Sequence, residues 1–389
     1  VVIMKRLKVL ICGWDGYLGF PLTLRCLHNG HIVHGIDNYH RRDAVAALGS
    51  ISATNITRPM DRVSDLGIIS NFTNHKCDIN KDSQLINKLL YRYKFDVIVN
   101  LAHNPSAPYS MRKFEHADFV LQNNVLGTNK MLWSIKQHSP DSHYITIGST
   151  GEYDHTIGVD IEEGYFQFDH KGKTSKECLF PRQGNSIYHC SKIASTYLID
   201  YLTRLWGLKC TDVMQSIVYG LYTPEMVKYK QVNRCDTDEC FGTVINRFVV
   251  QAMLDEPMTI FGHGKHQRAF LSLNDSIQAL ELAINNPAEP GKVQSWNQLS
   301  EWHTIEKISE MVKEVIPDSR IENIDSPRKE FTGGHYYHFE TEKLKALGYE
   351  PTRTIQEEIE YMTTVIKLTP KNRDILRSVI KPKVNFTNV

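Results

Sequence analysis

The segment 7–38 constrains the fold of this chain more than any other stretch, because it joins two apolar strands through a glycine-rich turn and a helix. Residues 7–13 (LKVLICG) predict a buried strand that ends in glycine, and residues 31–38 (HIVHGIDN) predict a second strand. Between them, residues 20–30 have apolar side chains at helical spacing and end in Gly30, a frequent residue at helix C-termini. A strand, a helix and a strand in so short a segment specify a parallel pair with a right-handed crossover.

The alternation of strand and helix continues as far as residue 220. Further apolar segments with strand character lie at 74–79, 95–102, 142–149 and 209–220. Amphipathic segments with helical spacing lie at 83–94, 119–137 and 186–207. Strands that alternate with helices indicate a parallel sheet with helices on both faces. We therefore predict an α/β fold built on a doubly wound, Rossmann-type parallel sheet.

The turn after the first strand, GWDGYLG, carries three glycines at a spacing that suits a dinucleotide. Gly13 allows the tight turn, Gly16 lets the backbone approach a pyrophosphate, and Gly19 lets the helix pack closely on the strand. The N-terminus of that helix then attracts the phosphates. Asp37, at the end of the second strand, is placed to bind the adenosine ribose and to repel a 2′-phosphate, which favours NAD over NADP. Two arginines follow it and act against that preference.

The predicted cofactor site extends beyond the glycine turn to the ends of neighbouring strands. Asp78 and Ile79, after the third strand, suit the adenine edge. The predicted cofactor is NAD, and the predicted cofactor-binding residues are Gly13, Gly16, Tyr17, Leu18, Gly19, Asp37, Asn38, Arg41, Asp78, Ile79, Leu101, Ala102, Asn124, Tyr188 and Lys192. No metal site is predicted, because the eight cysteines are scattered without a Cys-x-x-Cys pair.

Two tyrosines are followed by a lysine four residues later, Tyr188 with Lys192 and Tyr109 with Lys113. Chemistry in Rossmann enzymes lies outside the carboxyl ends of the strands; Ser149 ends the fifth strand and Tyr188 opens the next helix. Lysine and nicotinamide cations would lower the pKa of the Tyr188 phenol, so that the tyrosinate acts as a base toward a substrate hydroxyl that Ser149 also binds. Tyr109 follows the fourth strand and is predicted to be structural or to face the substrate.

The composition argues against several classes of function. The chain has 389 residues, of which 41% are hydrophobic and 23% charged, and its net charge is +1. Without a basic stripe, neither nucleic acid nor a membrane surface is expected as a partner, and no run approaches the roughly 18 apolar residues of a transmembrane helix. The beginning of the sequence is too soon charged for a signal peptide. We expect a cytoplasmic protein, or one of an organelle stroma if a transit peptide has been removed.

Further motifs carry a resemblance to a known family. Ser149, the pair Tyr188 and Lys192, and VYG at 218–220 are similar to the extended short-chain dehydrogenase/reductase superfamily. Within it, the chain resembles the UDP-sulfoquinovose synthase branch over about residues 7–350. The segments that carry this closer resemblance are DGYLG at 15–19, SAPYSM at 106–111, GEY at 151–153, DIEEGY at 160–165, YHCSK at 188–192, FGTVINRF at 241–248 and HYY at 335–337.

The resemblance implies a UDP-hexose substrate, UDP-glucose in that branch, with NAD as cofactor and sulfite as second substrate. In that chemistry NAD oxidises C4, water leaves to give a 5,6-alkene, sulfite adds at C6, and the stored hydride returns to C4. His189 follows the tyrosine as the family's histidine does, and would protonate the departing 6-hydroxyl. The alternative is a histidine that only hydrogen-bonds within the helix. The superfamily also implies a homodimer through the helices at 119–137 and 186–207.

The substrate is expected to lie between two regions of the chain. We predict an NAD-binding domain at 4–221 and a smaller, mixed domain, mainly for the nucleotide sugar, at 222–368. The helix at 241–256 is a candidate to pack back on the first domain, and the tail 369–389 is expected to pack poorly. A forked guanidinium suits a UDP pyrophosphate. The predicted substrate-binding residues are Tyr109, Thr150, Gly151, Gln215, Tyr219, Asn246, Arg247, Arg268 and Arg328.

The chain departs from the branch at positions around the sugar. Residues 103–105 (HNP) stand where the branch has Glu-Gln-Arg, and 333–334 (GG) replace two glutamates. In contrast, Thr150 and Gly151 occupy the places where ordinary 4,6-dehydratases carry Asp-Glu, and this absence supports the branch against such a dehydratase. A UDP-sugar 4-epimerase, or a 5,6-dehydratase without sulfite use, therefore stays open as an alternative. A non-enzymatic NAD-responsive protein is disfavoured, because the tyrosine and the lysine of the catalytic motif are both present.

Overall fold

The computed structural model describes residues 5–64, 69–153, 158–326 and 338–386. The strands in these ranges are β1 Lys8–Cys12, β2 Ile32–Asp37, β3 Phe72–Lys76, β4 Val97–Asn100, β5 His143–Ser149, β6 Tyr165–Phe166, β7 Asp169–His170, β8 Lys173–Thr174, β9 Cys178–Leu179, β10 Lys209–Gln215, β11 Ile217–Tyr219, β12 Met258–Phe261, β13 Gln267–Ser272, β14 Val293–Gln298, β15 Glu301–Thr304 and β16 Ile321–Ile324.

The helices cover the sheet and build most of the second half of the chain. They are α1 Gly19–His28, α2 His40–Ala47, α3 Asp61–Ser64, α4 Ser83–Tyr93, α5 Ala107–Ser110, α6 Phe114–Leu121, α7 Gly127–His138, α8 Ile187–Trp206, α9 Pro224–Lys228, α10 Val244–Met253, α11 Leu273–Asn285, α12 Ile305–Val315, α13 Glu342–Ala346, α14 Ile355–Val365 and α15 Pro370–Val379. A π-helical segment, Gln122–Leu126, joins α6 to α7. Among the described helices, none is both long enough and apolar enough to span a bilayer.

Seven strands form the central sheet, in the order β14-β10-β5-β4-β1-β2-β3. Every neighbouring pair in it is parallel. From β1 the chain moves outward to β3 and then returns to β4 on the other side of β1, so the direction of winding reverses there. A reversal of this kind opens a crevice outside the carboxyl ends of the two strands. The predicted α/β fold with a doubly wound parallel sheet is confirmed.

Buried apolar side chains hold helices on both faces of the sheet. Val9 and Ile11 of β1 belong to a cluster that includes side chains of α1 and α11. Leu10 and Cys12 belong to another, which includes side chains of α4, α7 and α8. Successive residues of a strand point to opposite faces, so one apolar run serves both layers. This explains why the buried strands of the sequence are continuously apolar instead of alternating.

The second half of the chain contributes a separate apolar cluster. Phe248 of α10, Val312 of α12, Ile359 of α14 and Leu376 of α15 are all fully buried in it. α10 packs on α12 and α14, and these contacts account for most of its packing. Contrary to the expected poor packing of the tail, Leu376 and Ile380 are completely buried there. An amphipathic pattern in the tail, with Leu376 facing inward, supplies the reason.

Two strands differ from the sequence prediction. The predicted strand 209–220 ends at Gln215, and after Ser216 the chain enters β11, which pairs with β13 in a three-stranded sheet. The seventh strand of the central sheet, β14, comes from the range predicted for the second domain. Its sequence VQSWNQ contains four polar side chains, which hide the apolar run typical of a buried strand. The division of the chain at residue 221 stays a prediction, and β14 shows that both ranges contribute to one sheet.

Candidate active site

A cavity of about 810 Å³ opens outside the carboxyl ends of β1, β4 and β5. Gly13, directly after β1, has a φ of +80°, which glycine adopts without steric strain. A Cβ at Gly13 would lie 2.7 Å from the carbonyl oxygen of Leu101, and a Cβ at Gly19 would lie 2.0 Å from the carbonyl oxygen of Gly13. The turn therefore tolerates only hydrogen at these two positions. Its bare backbone at the edge of the cavity fits the pyrophosphate of a dinucleotide.

Most of the predicted cofactor-binding residues line this cavity. They are Gly13, Gly16, Tyr17, Leu18, Gly19, Asp37, Asn38, Arg41, Ile79, Leu101, Ala102, Tyr188 and Lys192. Asp78 and Asn124 do not line it. Asp78 accepts a hydrogen bond from Asn38 Nδ2 at 2.9 Å. The fully buried Asn124 accepts from the Asn104 N–H at 2.8 Å and donates to the Asn104 carbonyl oxygen at 3.1 Å. Asp78 and Asn124 thus hold Asn38 and Asn104, which are lining residues.

Asp37 presents a buried carboxylate at the end of β2. It accepts hydrogen bonds from the backbone N–H of Tyr39 at 2.6 Å and of Asp15 at 3.0 Å. Burial raises the pKa of Asp37 to about 6. An ionised carboxylate has about four acceptor positions, so two backbone bonds leave room for ribose hydroxyl groups. The position and chemistry of Asp37 therefore fit the predicted ribose contact.

The raised pKa of Asp37 leads to a pH prediction for cofactor binding. Asp37 is ionised above about pH 6 and protonated below it. Because a charged acceptor binds hydroxyl groups more strongly than a neutral one, we expect the Kd for NAD to rise roughly fivefold from pH 7 to pH 5. Fluorescence titration with NAD measures this. Asp37→Asn should bind weakly at both pH values; an equally steep pH dependence in that variant would contradict the assignment.

The two arginines after Asp37 are paired with carboxylates. Arg41 Nε lies 2.8 Å from Asp236 Oδ2, and its guanidinium lies 3.8 Å from the ring centroid of Phe241. Arg42 Nε lies 2.6 Å from Asp15 Oδ2. Recognition of a 2′-phosphate needs an uncompensated cation. These ion pairs remove the sequence argument against NAD.

Ser149, Tyr188 and Lys192 meet at one wall of the cavity. Ser149 is the last residue of β5, and the other two lie in the first two turns of α8, which begins after Ser186. Ser149 lines the cavity together with Tyr188, and its hydroxyl accepts a hydrogen bond from the backbone N–H of Gly151 at 3.1 Å. Lys192 Nζ donates to the carbonyl oxygen of Ile147 at 2.6 Å and lies 6.0 Å from the Tyr188 ring centroid. The structure therefore brings the predicted catalytic serine, tyrosine and lysine together.

The surrounding protein raises the pKa of the Tyr188 phenol. Burial is the main cause, the negative charge of Glu152 adds to it, and Ser149 acts to lower it. The ammonium group of Lys192 is held by the carbonyl oxygen of Ile147 and lies beside a histidine. Burial lowers the pKa of Lys192 to about 8, although Glu152 and Asp212 act to raise it.

Glu152 supports the site from inside the protein. Its Oε1 accepts from the backbone N–H of Ser149 at 2.8 Å, and its Oε2 lies 2.5 Å from Arg182 Nη1. Both side chains of this ion pair are fully buried. Burial raises the pKa of Glu152 and also that of Asp212, which hydrogen-bonds Thr196 at 3.1 Å. Glu152 thus fixes Ser149 and does not itself face the cavity.

His189 and Gly151 lie against each other in the wall of the cavity. The Nδ1 atom of His189 lies 2.9 Å from the hydroxyl of Ser186, the N-cap residue of α8. A Cβ at Gly151 would lie 2.3 Å from His189 Nε2, so only glycine leaves room for the ring. The His189 ring centroid lies 4.9 Å from that of Tyr188. The structure places His189 beside the predicted base, where it can exchange a proton with a bound molecule.

The predicted substrate-binding residues divide into two groups. Those that line the cavity are Thr150, Gly151, Gln215, Asn246, Arg247 and Arg268. Tyr109 and Tyr219 do not: the Tyr109 ring stacks on Phe241, and Tyr219 is fully buried with its hydroxyl 3.3 Å from Glu301. Arg328, the HYY segment at 335–337 and the glycines at 333–334 lie outside the described residues.

The cavity also contains residues that the sequence did not predict there. They are, among others, His103, Asn104, Asn123, Arg234, Asp236, Phe241, Thr259 and Phe386. Phe386 belongs to the tail, and no local sequence pattern predicted that it would line the cavity. Arg234 and Asp236 lie in the segment between α9 and α10. Across the described ranges, no group of three or more His, Cys, Asp or Glu residues is arranged to hold a metal ion.

Comparisons with known proteins agree with this geometry. The sequence profile of the NAD dependent epimerase/dehydratase family matches residues 9–297. The chain is 36% identical to a UDP-sulfoquinovose synthase of Sulfolobus acidocaldarius over 98% of each protein. It is 34% identical to the chloroplastic UDP-sulfoquinovose synthase of Spinacia oleracea, over 89% of this chain and 72% of the spinach protein.

Solved structures show the same fold at low sequence identity. UDP-glucuronic acid 4-epimerase from Bacillus cereus, in complex with UDP-glucuronic acid and NAD, matches with a TM-score of 0.67 and 21% identity, over 96% of this chain and 99% of that one. UDP-glucose 4-epimerase from Thermotoga maritima with UDP-glucose also has a TM-score of 0.67, at 18% identity and with the same coverage. The family profile and the two curated relatives decide the assignment: the chain belongs to the NAD dependent epimerase/dehydratase family and, within it, to the UDP-sulfoquinovose synthase branch.

Proposed function

We propose that this protein is an NAD-dependent nucleotide-sugar enzyme that converts UDP-glucose and sulfite to UDP-sulfoquinovose. The observation that carries the proposal is the meeting of Ser149, Tyr188 and Lys192 with the glycine turn in one cavity. A base at one wall and a dinucleotide turn at the other suit reversible oxidation of a sugar hydroxyl. The curated relatives named UDP-sulfoquinovose synthase support the choice of substrate.

In the proposed cycle Tyr188 takes the proton of the C4 hydroxyl, and the C4 hydrogen leaves as hydride. Ser149 donates a hydrogen bond to the same oxygen, and the Lys192 cation favours the tyrosinate. Bound NAD supplies the hydride acceptor and later the hydride donor. A C4 ketone acidifies the C5 hydrogen. His189 protonates the departing 6-hydroxyl, and the proton released from C5 replaces the one that His189 gives, so that one water leaves in all.

The second half of the cycle reverses the first. The sulfur of sulfite bonds to C6, and C5 regains a proton. The hydride then returns to C4, and Tyr188 returns its proton to the C4 oxygen. One feature favours a second candidate, a 4-epimerase or 5,6-dehydratase without sulfite use: Pro105, which lines the cavity, carries no charge where the branch has an arginine.

Mass spectrometry of the protein incubated with UDP-glucose, with and without sulfite, separates these candidates. A sulfite-dependent UDP-sulfohexose supports the proposed function. UDP-galactose, or an unsaturated sugar formed equally well without sulfite, supports the second candidate and rejects the first. Asn246→Ala tests the cavity independently of the base. This substitution changes the lining of the cavity and keeps Tyr188, so we expect the product yield to change.

The contact between Gly151 and His189 leads to a prediction about the dehydration step. Gly151→Ala would place a methyl group against the His189 ring and displace it. We expect product formation to fall about 100-fold, because misplacement of an acid by an ångström has an effect of that size. Oxidation at C4, followed as absorbance at 340 nm in a single turnover, should continue. Product formation at the wild-type rate would show that His189 is not the acid.

We further propose that the enzyme is a homodimer. The segment α6–α7 and α8 expose large apolar side chains: Leu126 is 48% exposed, Trp133 46%, Tyr201 54% and Leu205 55%. Monomeric surfaces rarely expose so many on adjacent helices. Sedimentation should show a dimer that Leu205→Arg dissociates. Tyr91→Arg, on the equally exposed surface of α4, should leave the dimer intact, and a monomeric parent protein would reject the proposal.

The state of the cysteines favours a reducing compartment. All eight are free, and six of them are buried. Free thiols in these numbers are common in the cytoplasm and in organelle interiors. We therefore assign the protein to such a compartment, which cell fractionation would test.

A further inference from the structure

A histidine of the cavity contacts the catalytic lysine. His103 follows β4, lines the cavity and is 9% exposed. Its Nδ1 atom lies 2.8 Å from Lys192 Nζ, and its Nε2 atom lies 2.8 Å from Thr128 Oγ1. Both ring nitrogens therefore have a partner at hydrogen-bonding distance. The two residues are 89 positions apart in the sequence.

The chemistry of the partners decides the tautomer of His103. A lysine ammonium has three donor N–H groups and no acceptor, so Nδ1 of His103 accepts from Lys192. Nε2 then carries the proton and donates to Thr128. Burial and the charge of Lys192 hold the pKa of His103 well below its usual range, so the ring stays neutral. Thr128 thus keeps the nitrogen that faces the lysine free of a proton.

The chain of polar contacts around His103 extends into the core and ends there. Asn100 Nδ2 lies 3.4 Å from His103 Nε2 and donates to the Tyr144 hydroxyl at 2.9 Å. Thr128 and Tyr144 are both completely buried, and burial raises the pKa of Tyr144. A chain that ends at a buried neutral phenol cannot deliver protons to solvent. Its function is to hold a group in place.

We propose that His103 is a positioning residue for Lys192: with the carbonyl oxygen of Ile147 it fixes the ammonium group so that one N–H is directed at the reacting molecules in the cavity. The inference rests on the proposed function, because it assigns His103 a part in the same oxidation. Two of the three N–H groups are held, at 2.8 and 2.6 Å. The negative charges of Glu152 and Asp212 act to raise the pKa of Lys192.

The test compares three substitutions along the chain. His103→Leu removes the nitrogen that accepts the hydrogen bond from Lys192, whereas His103→Asn keeps an oxygen near the place of Nδ1. Thr128→Val removes the hydroxyl that accepts from Nε2 and thereby sets the tautomer of His103. We expect His103→Leu to slow single-turnover NAD reduction by UDP-glucose about tenfold, with KM little changed. The alkaline limb of the pH–rate profile of His103→Leu should shift to lower pH. The charged form of Lys192 loses a hydrogen-bond partner in this variant, and the pKa of Lys192 therefore falls. His103→Asn should restore most of the rate, and Thr128→Val should lie between.

The chain offers a matched control in His143. This histidine is also buried, and its Nε2 lies 2.7 Å from a threonine hydroxyl, that of Thr211. It lies at the amino end of β5, whereas His103 lies beyond the carboxyl end of β4. His143→Leu should lower stability without moving the pH profile. An equal shift of the pH profile in His143→Leu, or none in His103→Leu, would overturn the proposal.

A measurement without substrate separates this inference from the proposed function. The pKa of Lys192 can be followed by NMR of lysines labelled at Cε, with Lys192→Arg to assign its signal. We expect His103→Leu to lower that pKa and His103→Asn to restore it. If wild-type protein fails to reduce NAD with UDP-glucose, the proposed function fails while this titration still decides the contact. An unchanged pKa in His103→Leu would reject the positioning role.

Discussion

Replacing Tyr188 by phenylalanine is expected to lower the rate of NAD reduction by UDP-glucose about 10²- to 10⁴-fold. The Tyr188 phenol lines the cavity together with Ser149 and can take a proton from the sugar hydroxyl, and the substitution removes only its oxygen. Binding of NAD and of UDP-glucose should change little, because the ring remains. Stopped-flow absorbance at 340 nm measures the chemical step, and calorimetry measures binding.

The second tyrosine–lysine motif supplies the control for this experiment. Tyr109 is also followed by a lysine four residues later, but its ring stacks on Phe241 and His116, and it does not line the cavity. Its hydroxyl lies 3.4 Å from His40 Nε2. Tyr109→Phe should retain most of the oxidation rate. Comparable losses in both variants would mean that the rate reports stability and not the base.

Breaking the buried ion pair of Glu152 and Arg182 is expected to destabilise the fold by about 3–5 kcal/mol. Arg182→Met would leave Glu152 uncompensated in the core, beside the carboxyl of Asp212. The double variant Glu152→Gln with Arg182→Met should be more stable than Arg182→Met alone, since it leaves one buried carboxylate fewer. Urea unfolding of both single variants and the double variant gives the coupling free energy.

An exposed ion pair provides the comparison for the buried one. Arg58 Nε lies 2.8 Å from Asp61, with side chains that are 87% and 47% exposed. Solvent screens such a pair, so Arg58→Met should leave the urea midpoint unchanged. If Arg182→Met also leaves it unchanged, then Glu152 must bind a proton in the native protein, and the ion pair contributes nothing. Protonation of Glu152 would also weaken the hydrogen bond that its carboxylate accepts from the backbone N–H of Ser149.

Local patterns in the sequence were enough to predict the scaffold and the reacting groups. The glycine turn needs a tight bend and close packing within a few residues, and both constraints are local. Tyr188 and Lys192 share a helix face because they are four residues apart. The apolar runs of β1 and β4 predicted buried strands, and the structure has both in the central sheet. The family resemblance rests on short motifs of the same kind.

The surroundings of these groups depend on contacts between distant parts of the chain. His103 reaches Lys192 across 89 residues, and Arg182 reaches Glu152 across 30. Neither sequence separation corresponds to a helical or strand period, so no local pattern predicts these two contacts. The pKa of Tyr188 likewise depends on the tertiary structure, because burial and a buried carboxylate raise it.

The sequence by itself therefore determined the parallel α/β scaffold and the dinucleotide turn, and it singled out the tyrosine, lysine and serine that we propose as the reacting groups. Only the tertiary structure decided that β14 completes the sheet, that Phe386 of the tail lines the cavity, and that His103 holds the lysine. The physical reason is that periodicity and turn chemistry act between near neighbours, whereas burial, charge and packing depend on whichever residues the fold brings together.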